Sequence, residues 1–204
     1  MQVRHPPGRA GRLWLEERLQ TAARAADLLE QKERVLIREQ RRLLVLERAT
    51  RNAWETAWHE SQTWVARVAV LRGRRVISRG ARRGTASVDL VWRNEMGAFY
   101  PVEAGCRLPD DLPLGEITGT AAMAETVRAH RDALQRAVQL AATNRAVREV
   151  DRELRATRRR LRMLQHQWAP ALDAALRAVD IELEERERDD VLRSRRARTE
   201  EVSR

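Results

Sequence analysis

Residues 157–198 read TRRRLRMLQHQWAPALDAALRAVDIELEERERDDVLRSRRAR. The stretch is rich in Arg, Glu, Ala and Leu, and only Pro170 interrupts it. Its apolar residues continue a longer register. Ala133, Leu140, Val147, Leu154, Leu161, Trp168 and Ala175 recur at seven-residue spacing, with Val150, Thr157, Leu164 and Ala171 in the alternate positions. A sustained heptad pattern of this kind calls for a partner helix. Pro170 lacks a backbone N–H and crowds the carbonyl of His166, which predicts a kink or local stutter. Past it the apolar stripe moves to Leu172, Leu176, Val179 and Leu183. From Glu182 the helix is almost wholly charged. Glu182/Arg186, Glu184/Arg188 and Asp189/Arg193 are acid-first i,i+4 pairs, each worth a few tenths of a kcal/mol.

The partner is the first third of the chain. Leu15, Ala22, Leu29, Leu36 and Leu43 recur at the same spacing, and Leu19 and Ala26 fill the alternate seam. That seam then turns polar at Glu33, Gln40 and Glu47, so the pattern departs from an ideal two-stranded zipper. A helix over 9–72 would run roughly 90 to 100 Å at about 1.5 Å per residue, too long for an ordinary globular helix. Gly73 is placed to end it. Trp54, Trp58, Val65 and Val68 lie along one side, with Trp64 nearby. The plain reading of these rings is a widened core. The functional reading is a docking patch for another subunit, since aromatics are enriched at interface hot spots.

Between the helices, residues 74–117 hold much of the chain's Gly and Pro. Residues 74–85 (RRVISRGARRGT) read as a basic link. Val88, Leu90 and Trp92 alternate as a strand does, Asn94–Gly97 reads as a turn, and Ala98–Val102 as a return strand. The turn rests on Asn94 and Gly97. Pro101 puts the return strand at an edge, because proline cannot donate to a ladder. Residues 108–113 (LPDDLP) read as a connector. The expected fold is mainly α: one domain over 1–204, a long antiparallel two-helix coiled coil of 9–72 and 118–198, with a small β-hairpin insertion and its connector at 74–117.

Composition limits the function. The chain has 204 residues, 34% of them charged, and a formal net charge of +10; of its 40 basic residues only Lys32 is lysine. Positive charge invites an acidic partner such as nucleic acid. A binder of that kind concentrates its basic groups on one face with aromatics among them. Here Arg and Glu alternate over most of the helical length, so a solvated, ion-paired surface is the better reading. Cys106 is the only cysteine and cannot form an internal disulfide. No apolar run nears the roughly 18 to 20 residues that span a bilayer, and the N-terminus lacks the apolar core of a signal peptide. His5, His59, His130 and His166 have no partners at metal-ligand spacing. No Gly-rich phosphate loop, nucleophile elbow or Cys/His dyad is present. Catalytic residues, cofactor-binding residues and metal ligands are therefore expected to be absent.

Three ordered stretches carry a resemblance. Pro7-Gly8-Arg9 leads into a Leu-rich segment containing Leu28, Leu29, Lys32 and Leu36. VDLVWRNEMGAFYPV presents a strand, an Asn94-x-Met96-Gly97 turn and Pro101. The C-terminal stretch places Thr157, Arg158, Arg159, Leu164, Pro170, Leu183, Glu184 and Glu187 on the pattern TxRRVNALExxxIPxxxxxIxxIxxxLEExERE. Together they resemble the D-subunit family of V-type (archaeal-type) rotary ATPases/ATP synthases, the central-stalk rotor subunit, in a bacterial form. Ala25 stands where that family often has Gly, Met163 replaces an Asn, Trp168-Ala169 replaces a β-branched pair, and VLRSRRAR replaces an Arg-Leu-Lys-rich ending. The last change bears on any contact that needs lysine.

The resemblance implies a non-catalytic axle that transmits rotation between the catalytic A/B ring and the membrane ion-translocating rotor ring. Its implied partners are the F subunit of the central stalk, the A and B subunits of the catalytic ring, and the C subunit at the base of the stalk. It implies no cofactor and no direct nucleic-acid contact. It also implies a peripheral place on the cytoplasmic face of the cell membrane, reached only through partners. The competing reading is a free-standing Arg-rich coiled-coil module that binds nucleic acid or a partner helix.

Overall fold

The computed structural model describes residues 3–73, 85–108 and 121–202 and is mainly helical. Helix α1 spans Gly8–Arg72, strand β1 Ser87–Glu95 and strand β2 Ala98–Arg107. Helix α2 spans Ala121–Met163, a π-helical turn Leu164–Trp168, and helix α3 Ala169–Val202. From Arg12 to Arg72, and again through α2, the sequence contains neither Gly nor Pro, so nothing interrupts the i→i−4 ladder. Gly73 donates its N–H to the Ala69 carbonyl at 2.9 Å and closes α1. The basic link and most of the connector, at 74–84 and 109–120, lie outside the described residues, as does the expected start of the second helix at 118–120.

The chain forms two compact units: Met1–Arg34 with Arg155–Arg204, and Val35–Leu154. In the first, Leu15, Ala22, Leu172 and Val179 form the buried core, with Trp14, Leu19, Leu164, Ala175, Leu176 and Leu183 packed around it. The polar contacts beside this core run antiparallel. Arg9 pairs with Glu187 at 3.0 Å, Arg12 with Asp180 at 2.8 Å and Arg158 with Glu33 at 2.7 Å, and Gln165 donates to Glu30 at 2.9 Å. As exposed pairs they contribute little energy each; their value is in marking register.

In the second unit, Leu36, Leu43, Ala98, Tyr100, Ala146, Val150 and Leu154 form the core, with Ile37, Val102 and Val147 beside it. Gln40 donates to Asp151 at 3.0 Å, again an antiparallel pairing of α1 with α2. The hairpin therefore leans on both helices, as a two-stranded sheet requires for stability. Its strands are joined by Met96 (φ 50°) and Gly97 (φ 85°) alone. Two successive positive-φ residues make the hairpin turn whose twist matches the strands. The turn is thus narrower than Asn94–Gly97. Asn94 belongs to β1, and its Oδ1 accepts the Gly97 N–H at 3.0 Å. β2 also runs beyond the expected Val102. Val91 pairs with Glu103 and Trp92 with Pro101, leaving Val102 as an extra residue. Val102, in phase with the buried Ala98 and Tyr100, packs beside the core, and the bulge accommodates a proline that cannot donate to the ladder.

The π turn explains the shift in the apolar stripe. Ala169 donates its N–H to the Leu164 carbonyl, five residues back. A π turn inserts one residue into a helix. Widening the turn ahead of Pro170 eases the crowding that proline imposes on the preceding carbonyl. Beyond it the buried seam positions move on by one, to Leu172 and Val179, with Ala175 and Leu176 both half-buried beside them. Trp168 is accordingly a correction to the seam. It is 42% exposed, because the inserted residue rotates it outward and brings the half-buried Ala169 to the seam side. Leu15, Ala22, Leu36, Leu43, Leu140, Leu154 and Leu161 are buried, while Leu19, Leu29, Val147 and Leu164 are half-buried.

Candidate functional site

Among the described residues no three His, Cys, Asp or Glu side chains converge as metal ligands, and no helix is long and apolar enough to cross a membrane. Two exposed apolar surfaces stand out among the described residues, and one of them is held in place by a polar lock.

The lock joins β2 to α1. Tyr100 is fully buried and donates its hydroxyl to Glu39 Oε1 at 2.7 Å. Arg42 grips the same carboxylate at 2.6 Å. The Arg42 hydrogen bond, with that of Tyr100, holds the Glu39 carboxyl below its ordinary range against the opposing cost of burial. Burial, then the Glu39 contact, pushes the Tyr100 phenol up to about 12. Tyr100 is the only tyrosine and sits on the inward face of β2. The lone polar aromatic in a strand was the sequence signal for this contact, and the heptad reading passed over it.

Tyr100→Phe keeps the ring and deletes the hydrogen bond, leaving Glu39 with Arg42 alone. The expected loss is about 1.5 to 3 kcal/mol, the usual worth of a hydrogen bond to a charged group, read as a lower urea midpoint. The pH dependence has two limbs. The Tyr100 contribution is complete below the unfolded phenol value of 10.0 and is lost as pH rises through about 12. The Glu39 contribution is present above the usual carboxylate range and is lost as pH falls through its lowered value. In Tyr100→Phe the alkaline limb that this phenol contributes should be absent from urea midpoints measured between about pH 9 and 12.

The lock fixes which face of the hairpin looks outward. Ala98 and Tyr100 are buried, whereas Val88, Leu90, Trp92, Met96 and Phe99 are between 39% and 58% exposed. Trp92 and Phe99 stack at 4.9 Å with planes 9° apart. An exposed apolar surface of this kind marks an interaction site more often than chance. The alternation at Val88, Leu90 and Trp92 was visible in sequence, but alternation cannot say which face a hairpin buries.

The tryptophans expected as a subunit interface are not the buried line of α1. That line runs through Ala57, Ser61 and Val68. Trp54 and Trp64 are half-buried and Trp58 is 43% exposed. Trp54 and Trp58 stack at 6.3 Å, and the Arg67 guanidinium lies 4.5 Å from the Trp64 ring. With Val70 and Leu71 exposed nearby in sequence, this stretch of α1 is the second apolar surface.

Known proteins resemble the chain over nearly its whole length. A family model described as the D subunit of ATP synthase matches residues 13–199. The chain is 27% identical over 201 residues to the V-type ATP synthase D subunit of Anaeromyxobacter sp. (strain Fw109-5), covering 96% of this chain and 94% of that protein. It is 26% identical over 198 residues to the A-type ATP synthase D subunit of Methanopyrus kandleri, covering 94% and 84%. It is also 26% identical over 197 residues to the V-type ATP synthase D subunit of Thermus thermophilus, covering 93% and 86%.

Proposed function

Because the chain belongs to the ATP synthase D-subunit family, a family of V/A-type ATP synthase subunits, we propose that it is the central-stalk rotor axle of its complex. In this reading it is non-catalytic and carries rotation between an A/B catalytic ring and a membrane ion-translocating rotor ring. It pairs with the F subunit, stands on the C subunit, and lies at the cytoplasmic face of the membrane through these partners alone.

The observation that carries the reading is the combination of antiparallel helix pairing with a hairpin clamped to one side. The hairpin makes the helix pair of the second unit unequal around its axis. It would bias the surrounding sites by differential contact, which is how a binding partner shifts populations. Its surface is dominated by ion-paired Arg and Glu, which adhere weakly in water and suit a part that slides against its neighbours.

The test is purification of the native complex through a tag on this chain. Recovery of A-, B-, C- and F-type subunits with ATPase activity is expected. Tight DNA binding with a steep salt dependence, and no ATPase subunits, would overturn the proposal in favour of a nucleic-acid module.

A further inference from the structure

The arginines are not spread evenly. From 155 to 172 the chain holds Arg155, Arg158, Arg159, Arg160 and Arg162 and no acidic residue. Arg155, Arg158, Arg159 and Arg162 fall at i, i+3, i+4 and i+7 of α2, and all four are exposed. They form one stripe about 10 Å long at 1.5 Å per residue. With Glu33 and Leu161 they line a cleft of about 490 Å³ within the first unit. Arg158 is engaged, its Nε donating to Glu33 Oε1 at 2.7 Å. Among the described residues, Arg159 and Arg162 have no acidic partner.

We infer that this cleft receives an acidic segment of a partner polypeptide, with carboxylates seated on Arg159 and Arg162. Guanidinium forks match carboxylates in a bidentate geometry, and Glu33 already places one carboxylate in the cleft. The same Glu33, with Glu30 one turn before it, puts negative charge on the α1 side. That charge opposes a backbone carrying a phosphate at every nucleotide more than a short peptide whose few carboxylates sit on Arg159 and Arg162. Immediately beyond the stripe, Met163 is 51% and Trp168 42% exposed. Arg, Met and Trp are the residue types enriched at protein–protein interfaces. The π turn that exposes Trp168 abuts the stripe, and such turns concentrate at functional positions. That the partner is another subunit of the ATP synthase rests on the rotor reading; the acidic chemistry does not.

The experiment uses the complex co-expressed with the full chain carrying Arg159→Glu and Arg162→Glu. Affinity for the remaining subunits should fall about tenfold or more, as truncation of close charge pairs does, and its salt dependence should flatten. Arg159→Gln with Arg162→Gln serves if the reversal disturbs folding, judged by circular dichroism and thermal midpoint. In parallel, a benzophenone amino acid at position 163 should cross-link to a peptide carrying neighbouring Asp or Glu residues, identified by mass spectrometry. Unchanged affinity and salt dependence in a folded variant overturns the inference. So does a cross-link to nucleic acid or to a peptide without acidic residues. If the wild-type chain recovers no ATPase subunits, the rotor reading fails, and the cross-linked peptide still decides the chemistry of the cleft.

Discussion

Leu36→Asp should unfold the unit built around the hairpin. Leu36 has no exposed surface and packs in the cluster that contains Leu43, Tyr100, Ala146, Val150 and Leu154. Truncating such a leucine to alanine costs about 2 to 5 kcal/mol. A carboxylate in its place adds the desolvation of an unpaired charge. Stabilities of whole domains are only about 5 to 15 kcal/mol, so the sum removes most or all of it. Leu36→Ala should give a folded protein with a urea midpoint well below wild type, and Leu36→Asp should give no cooperative transition. Val45→Asp is the control: Val45 lies on the same helix, is 67% exposed, and should change stability by no more than about 0.5 kcal/mol. Equal midpoints for the substitutions at 36 and 45 would show that the seam has been drawn on the wrong face.

A second large effect should come from changing chain length at the π turn. In an uninterrupted heptad helix, adding or removing one residue rotates everything beyond it by about 100° in opposite senses, and both are harmful. Here the turn Leu164–Trp168 already holds one residue more than an α-helix needs. Deleting Gln167 lets the segment close into α-helix while Leu172 and Val179 stay on the core. Inserting an alanine after Gln167 drives both out, along with Leu176 and Leu183. At roughly 1.5 to 3 kcal/mol for each buried aliphatic side chain, the insertion should cost several kcal/mol. The deletion should cost much less, most of it from Pro170 meeting a tighter turn. Pairing the deletion with Pro170→Ala should recover that remainder. Thermal midpoints of the three variants order the effects, and an insertion as mild as the deletion would mean that the extra residue does not set the phase. Pro170→Ala alone should retain the wide turn, because burial beyond it, rather than the proline, selects the phase.

The helices were legible because burial along them is periodic and neither Gly nor Pro interrupts 12–72 or α2. Leu15, Ala22, Leu36, Leu43, Leu140, Leu154 and Leu161 fall on one repeating register, and the shift to Leu172 and Val179 was itself readable past Pro170. The same register misplaced Trp168, because a seven-residue count assumes a constant turn and the inserted residue breaks it. The tryptophans of α1 admitted two readings in sequence, a widened core and a docking patch. The small Ala57 and Ser61 take the buried line and leave the rings at its margin. The hairpin was legible as a hairpin, and its inward face was not. That choice depends on Tyr100 finding Glu39, some 61 residues away in sequence, and no local pattern encodes so distant a contact. The arginine cleft was hidden similarly. The i, i+3, i+4, i+7 spacing of the four arginines stands in the sequence, but only folding brings Glu33 opposite them to form a cleft.

The bulge at Val102 and the Tyr100 lock tie the hairpin to one flank of a helix pair. Two paired helices alone make a nearly even rod, on which a turn of half a revolution changes little. A lobe on one flank removes that equivalence within the second unit. In the proposed rotor role, a ring of repeated sites would meet the lobe at one site at a time, so angle would become information that each site reads in succession. The tyrosine hydroxyl thus does more than add stability: with the packing of Ala98 and Val102 it fixes the side on which the lobe stands.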